Sequence, residues 1–98
     1  MNENVVSGLF FIMGERKYVT SRLRPENEND TVVITKAEYT LKNLSEGIIE
    51  SSGRLSVDGL KMKALIEPPF PGKYILSEKV TVGEETIIRN IPLTVSEI

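Results

Sequence analysis

Along most of the chain, apolar and polar residues alternate with period two, and no segment sustains helical spacing. The C-terminal stretch is the clearest case. Tyr74, Leu76, Val80 and Val82 share one parity, interrupted by Glu78, while Lys73, Ser77, Lys79 and Thr81 share the other, interrupted by Ile75. In the return strand, Glu85 to Val95, the apolar parity is Ile87, Ile91, Leu93 and Val95, interrupted by Arg89. Gly83-Glu84 between them suits a two-residue hairpin turn. That turn places Val82 opposite Glu85, Val80 opposite Ile87, Leu76 opposite Ile91 and Glu78 opposite Arg89. The two interrupting charges are thus expected to be cross-strand partners, an interaction of roughly 0.2–1 kcal/mol. A slip of one residue would send every side chain to the wrong face. Pro92 has no N–H, so part of this strand is expected to be an edge or to carry a bulge.

Upstream, the same pattern predicts further strands. Val5 to Met13 is the first, and Leu9, Phe10, Phe11, Ile12 and Met13 are apolar on both parities. Either the strand is covered on both faces, the commoner arrangement, or one face docks on another subunit. Gly14-Glu15 offers a turn. Lys17 to Arg24 follows as a short strand, and Arg16, Lys17, Arg22 and Arg24 form a local basic cluster that reads first as a solvated face. Thr31 to Lys42 is a long strand whose apolar side changes near Thr35-Lys36, which predicts a bulge or bend there. Gly47 to Val57 is one bent strand or two short ones. Asp58-Gly59 is a strong hairpin signal, expected to pair Val57 with Leu60 and Leu55 with Met62. Leu60, Met62, Ala64 and Ile66 then face inward, with Lys61 and Lys63 outward. Pro68, Pro69 and Pro71 around Phe70 make a corner that neither a helix nor a central strand can cross.

Short strands at roughly ten-residue spacing between turn signals predict an all-β sandwich or barrel, and a count of about seven to eight strands fits an immunoglobulin-like antiparallel β-sandwich in one domain over residues 1–98. On that plan the PGKY corner opens the penultimate strand and the last hairpin is the F–G pair. Tyr74 is then either a tyrosine corner, its hydroxyl bonded to nearby backbone, or an ordinary core tyrosine.

Composition narrows the chemistry. The chain has 98 residues, a formal charge of −2 and no histidine, cysteine or tryptophan. Without histidine the usual general base and the common serine triad are missing, and without cysteine there is no disulfide, thiolate zinc site or thiol nucleophile. The acidic balance argues against nucleic acid as partner. No apolar run is long enough to span a membrane as a helix, and no signal-peptide pattern opens the chain, so a cytoplasmic product is expected. Glu26, Glu28 and Asp30 in the PENEND loop repeat at the spacing of calcium ligands, but the glycine and distal glutamate of a calcium loop are not in place, so a solvated loop is the preferred reading. Asn43-Leu44-Ser45 matches a glycosylation sequon, of little meaning without a secretion signal. Glu46, Glu50 and Asp58 could be invoked as acid–base pairs, though solvated carboxylates explain them equally well. No catalytic residue and no cofactor is assigned.

The run from Val57 to Val95, with its VDG, an alternating strand ending in ALIEP, then PGKYIL, VGEET and a closing apolar strand, resembles small immunoglobulin-like proteins encoded in phage and prophage structural regions. AEYTL at Ala37 to Leu41 adds weaker support. The resemblance implies a non-enzymatic structural or assembly protein of a tail or virion, acting by protein–protein association, through Leu9–Met13 or a free sheet edge. The alternative is a bacterial immunoglobulin-like module that grips a protein or carbohydrate with its loops.

Overall fold

The computed structural model describes residues 8–25 and 31–98. Eight strands are formed: β1 (Leu9–Ile12), β2 (Lys17–Arg22), β3 (Ile34–Asn43), β4 (Ile48–Arg54), β5 (Ser56–Asp58), β6 (Lys61–Ile66), β7 (Gly72–Val82) and β8 (Glu85–Ser96). They build a five-stranded sheet, β1-β8-β7-β3-β4, facing a three-stranded sheet, β2-β6-β5. This is an immunoglobulin-like sandwich, with β7 and β8 in the F and G positions, β3 as C, and β2 and β6 as B and E. One pairing departs from the antiparallel plan: β1 runs parallel to β8, Leu9 beside Leu93 through Ile12 beside Ser96.

The alternating residues of both sheets meet in a single core. Leu41, Leu76, Val80, Leu93 and Val95 of the larger sheet face Val19, Met62, Ala64 and Ile66 of the smaller one. Removing each of these side chains larger than alanine from water contributes about 1.5–3 kcal/mol, which is why the period-two pattern dictates the inward face. The last hairpin has the expected register throughout, including Val82 with Glu85, Leu76 with Ile91 and Glu78 with Arg89. Pro92 sits where the environment of β8 changes: among the described residues, β1 covers only Leu93 to Ser96, so the strand before it is an edge and the missing N–H costs no ladder bond.

Two expected details were wrong. The β5–β6 loop is Gly59-Leu60, so Asp58 lies opposite Lys61 and Val57 opposite Met62. Gly59 takes φ +62° as the first loop residue, and Leu60 tucks against the core while its carbonyl accepts the Leu23 N–H at 2.9 Å. Leu55 is not in this hairpin. Its N–H donates to the Ala37 carbonyl (2.9 Å), and the chain crosses from one sheet to the other there. Gly47 to Val57 is therefore two strands in different sheets. The change of side in β3 is a register shift between Ile34 and Lys36, as the pattern predicted.

Candidate functional site

The candidate site is the outer face of the five-stranded sheet, and the strand registers map it row by row. One row runs Arg54, Glu38, Lys79, Ile88; the next Ser52, Thr40, Ser77, Asn90; the next Ile49, Lys42, Ile75, Pro92; then Lys73, Thr94, Phe10. Ile12 continues the face along β1 beside Ser96.

The run Leu9 to Met13 is not covered on both faces. Phe11 is buried (3% exposed) and Leu9 half-buried, whereas Phe10 is 75% and Ile12 50% exposed, with Met13 exposed beyond the strand end. Strand alternation forces this division, since one parity must leave the core whatever its polarity. Ile49 and Ile88 are exposed on the same face, so apolar side chains recur across its width from β1 to β4. Lysines and Arg54 lie between them: Lys36, Lys42, Lys73 and Lys79 all point outward, and Lys36 pairs with Glu38 at 3.8 Å. In the middle is an open depression of about 450 Å³, lined by Glu38, Thr40, Ser52, Arg54, Ser77, Lys79 and Ile88, among others. Ser77 Oγ donates to Asn90 Oδ1 at 2.7 Å beside it. Small hydroxyls on its floor and cations at its side suit hydrogen bonding to a ligand laid across the strands.

Of the polar residues singled out from the sequence, Asn43, Glu46 and Glu50 meet at the β3–β4 loop, and among the described residues the others do not join them. Glu78 and Arg89 share a register position but form no ion pair. Glu78 is fully buried, its Oε2 accepts the Ser21 hydroxyl of the opposite sheet at 2.6 Å, and its Oε1 has no partner among the described residues. Arg89 sits at the sandwich rim, where its long side chain reaches β2 and donates to the Arg22 carbonyl at 3.0 Å. Glu50 accepts from Asn43 Nδ2 (2.9 Å), while Asp58 lies in the other sheet opposite Lys61. Asn43, the sequon residue, is buried, and its Oδ1 accepts the N–H groups of Ser45 and Glu46, capping the β3–β4 loop. Lys17, of the basic cluster, donates to the Phe10 carbonyl at 2.9 Å and lies over the Phe11 ring. Glu26, Glu28 and Asp30 lie outside the described residues.

Tyr74 is a tyrosine corner. Its hydroxyl donates to the Phe70 carbonyl at 2.7 Å and accepts the Phe70 N–H at 3.1 Å, which anchors the proline corner to the start of β7. Burial, chiefly, pushes its ionisation above the ordinary phenol value. Glu15 is shifted the other way, foremost by the Ile12 N–H that its carboxylate accepts and further by Lys17.

No family model, curated protein or solved structure matches this chain. Among the described residues, no helix is long and apolar enough to cross a membrane, and no group of acidic residues is placed to hold a metal ion.

Proposed function

We propose that this chain is a non-enzymatic structural or assembly subunit that associates with other copies or other proteins through the outer face of its five-stranded sheet, as a phage or prophage tail or virion component. The observation that carries the association is the exposure of Phe10 and Ile12 on β1, with Ile88 and Ile49 on the same face. Apolar side chains of this size gathered on one side of a small domain favour a protein partner. The phage assignment rests on the resemblance of the Val57–Val95 run, and capsid, tail or portal genes beside this gene would support it.

Sedimentation velocity over a concentration series tests the association. The wild type is expected to form a multimer, and Phe10→Lys to abolish it with the far-UV circular dichroism unchanged. Phe11 is unsuitable for this test because it is a core residue. A strictly monomeric wild type at high concentration would overturn the self-association reading. A second reading, a binding module, draws on the hydroxyl-floored depression beside Arg54 and Lys79. It would be favoured if Phe10→Lys left assembly untouched while Lys79→Glu removed a ligand found by glycan or protein screening.

A further inference from the structure

Most of the outward edge of β1 is closed by the turn that follows it and by Lys17 at the start of β2. Met13 N–H donates to the Ser96 carbonyl (2.7 Å), so odd-numbered residues of this segment aim their backbone groups at β8. The alternate residues, Phe10 and Ile12, therefore aim theirs away from the sheet. Those two residues present four outward groups, an N–H and a C=O each, and three of the four are occupied. The Ile12 N–H donates to Glu15 Oε1 at 2.5 Å, the Ile12 carbonyl accepts the Glu15 N–H at 2.9 Å, and the Phe10 carbonyl accepts Lys17 Nζ at 2.9 Å. Lys17 also pairs with Glu15 at 3.4 Å and lies 4.4 Å from the centre of the Phe11 ring.

These are the groups that another strand would need. Two β1 strands set antiparallel about Phe11 would place Phe10 of one copy opposite Ile12 of the other, and each such pair exchanges both of its N–H···O bonds. The same register would set an aromatic against a β-branched side chain on the outer face, a favourable cross-strand pair. A short apolar edge strand is thus self-complementary, and it is the kind of edge that proteins protect against pairing.

We propose that Glu15 and Lys17 form an edge clamp that keeps β1 from pairing with β1 of a second copy, so that the Phe10–Ile12 face stays available while the backbone edge beside it is shut. The clamp acts on the edge whether or not the face associates. Its test is the full-length Glu15→Ala/Lys17→Ala variant compared with the wild type by sedimentation velocity at neutral pH. The double substitution frees the Ile12 N–H and the Phe10 carbonyl, leaving the backbone bond from residue 15 to the Ile12 carbonyl, and is expected to tighten self-association by about tenfold or more. Adding Ile12→Pro, which removes the outward N–H, is expected to return it to the wild-type level. A folded double variant that associates no more strongly than the wild type overturns the clamp. Should the double variant fail to fold, amide exchange decides. Ile12 in the wild type is expected to exchange at least about tenfold more slowly than in Glu15→Ala, as a lost protecting hydrogen bond requires, and equal rates overturn the clamp. Loss of assembly in Phe10→Lys bears only on the face, so the two readings fail separately.

Discussion

The β7–β8 and β5–β6 hairpins use the same device, a glycine at positive φ as the first residue of a two-residue loop: Gly83 at 59° and Gly59 at 62°. The first has the register its sequence predicts, and the second is displaced by two residues. The difference lies in the strands. β7 and β8 are 11 and 12 residues long, with apolar side chains buried along both, so any other register would expose part of the core. β5 is three residues long and exposed throughout, so it has little to lose by sliding. A displacement of two also keeps parity, and Met62, Ala64 and Ile66 remain inward either way. A turn dipeptide locates a hairpin, whereas buried alternation selects its register.

The largest test of that contrast removes one apolar side chain from each hairpin. Leu76→Ala, in β7, is expected to cost about 2–5 kcal/mol. Val57→Ala, in exposed β5, is expected to stay within about 0.5 kcal/mol. Denaturant unfolding of both variants checks this, and equal losses would break the contrast. Next comes the point where the long hairpin touches the small sheet. Ser21→Ala leaves the buried Glu78 carboxyl without its cross-sheet donor and is expected to cost about 1–3 kcal/mol. Adding Glu78→Leu is expected to recover most of that loss, because it removes the stranded polar group itself. The smallest loss expected at a buried contact is at the corner. Tyr74→Phe is expected to cost about 1 kcal/mol for the lost contacts with the Phe70 backbone. Because folding raises the ionisation of Tyr74, its contribution is complete below the ordinary phenol value and is lost as pH rises through the higher folded value. The wild type is therefore expected to lose stability more steeply than Tyr74→Phe in alkali, and parallel curves would refute this cause.

The candidate site was half legible. The run Leu9 to Met13 is conspicuous because both parities are apolar, but its neighbours were not. Ile49, Ile88 and Phe10 are far apart in sequence, and only the β1-β8-β7-β3-β4 order gathers them on one face. Glu78 and Arg89 show the limit from the other side. Their register was readable from parity and loop length, yet their bonding was not, because each found its partner on β2 in the opposite sheet. The Glu15–Lys17 clamp left no signal beyond a turn and a basic cluster, since it depends on which backbone groups of β1 face away from β8.

The sequence by itself determined the all-β class, the inward face of the strands with clear alternation (β2, β3, β6, β7 and β8), the long hairpin's register and the bulge in β3. Those follow from local alternation and from proline and glycine stereochemistry, which act within a few residues. The tertiary structure alone decided the parallel docking of β1 on β8, the crossing at Leu55 and the burial of Glu78 against Ser21. Each of these depends on which strand lies next to or across from which, and local alternation leaves that choice open.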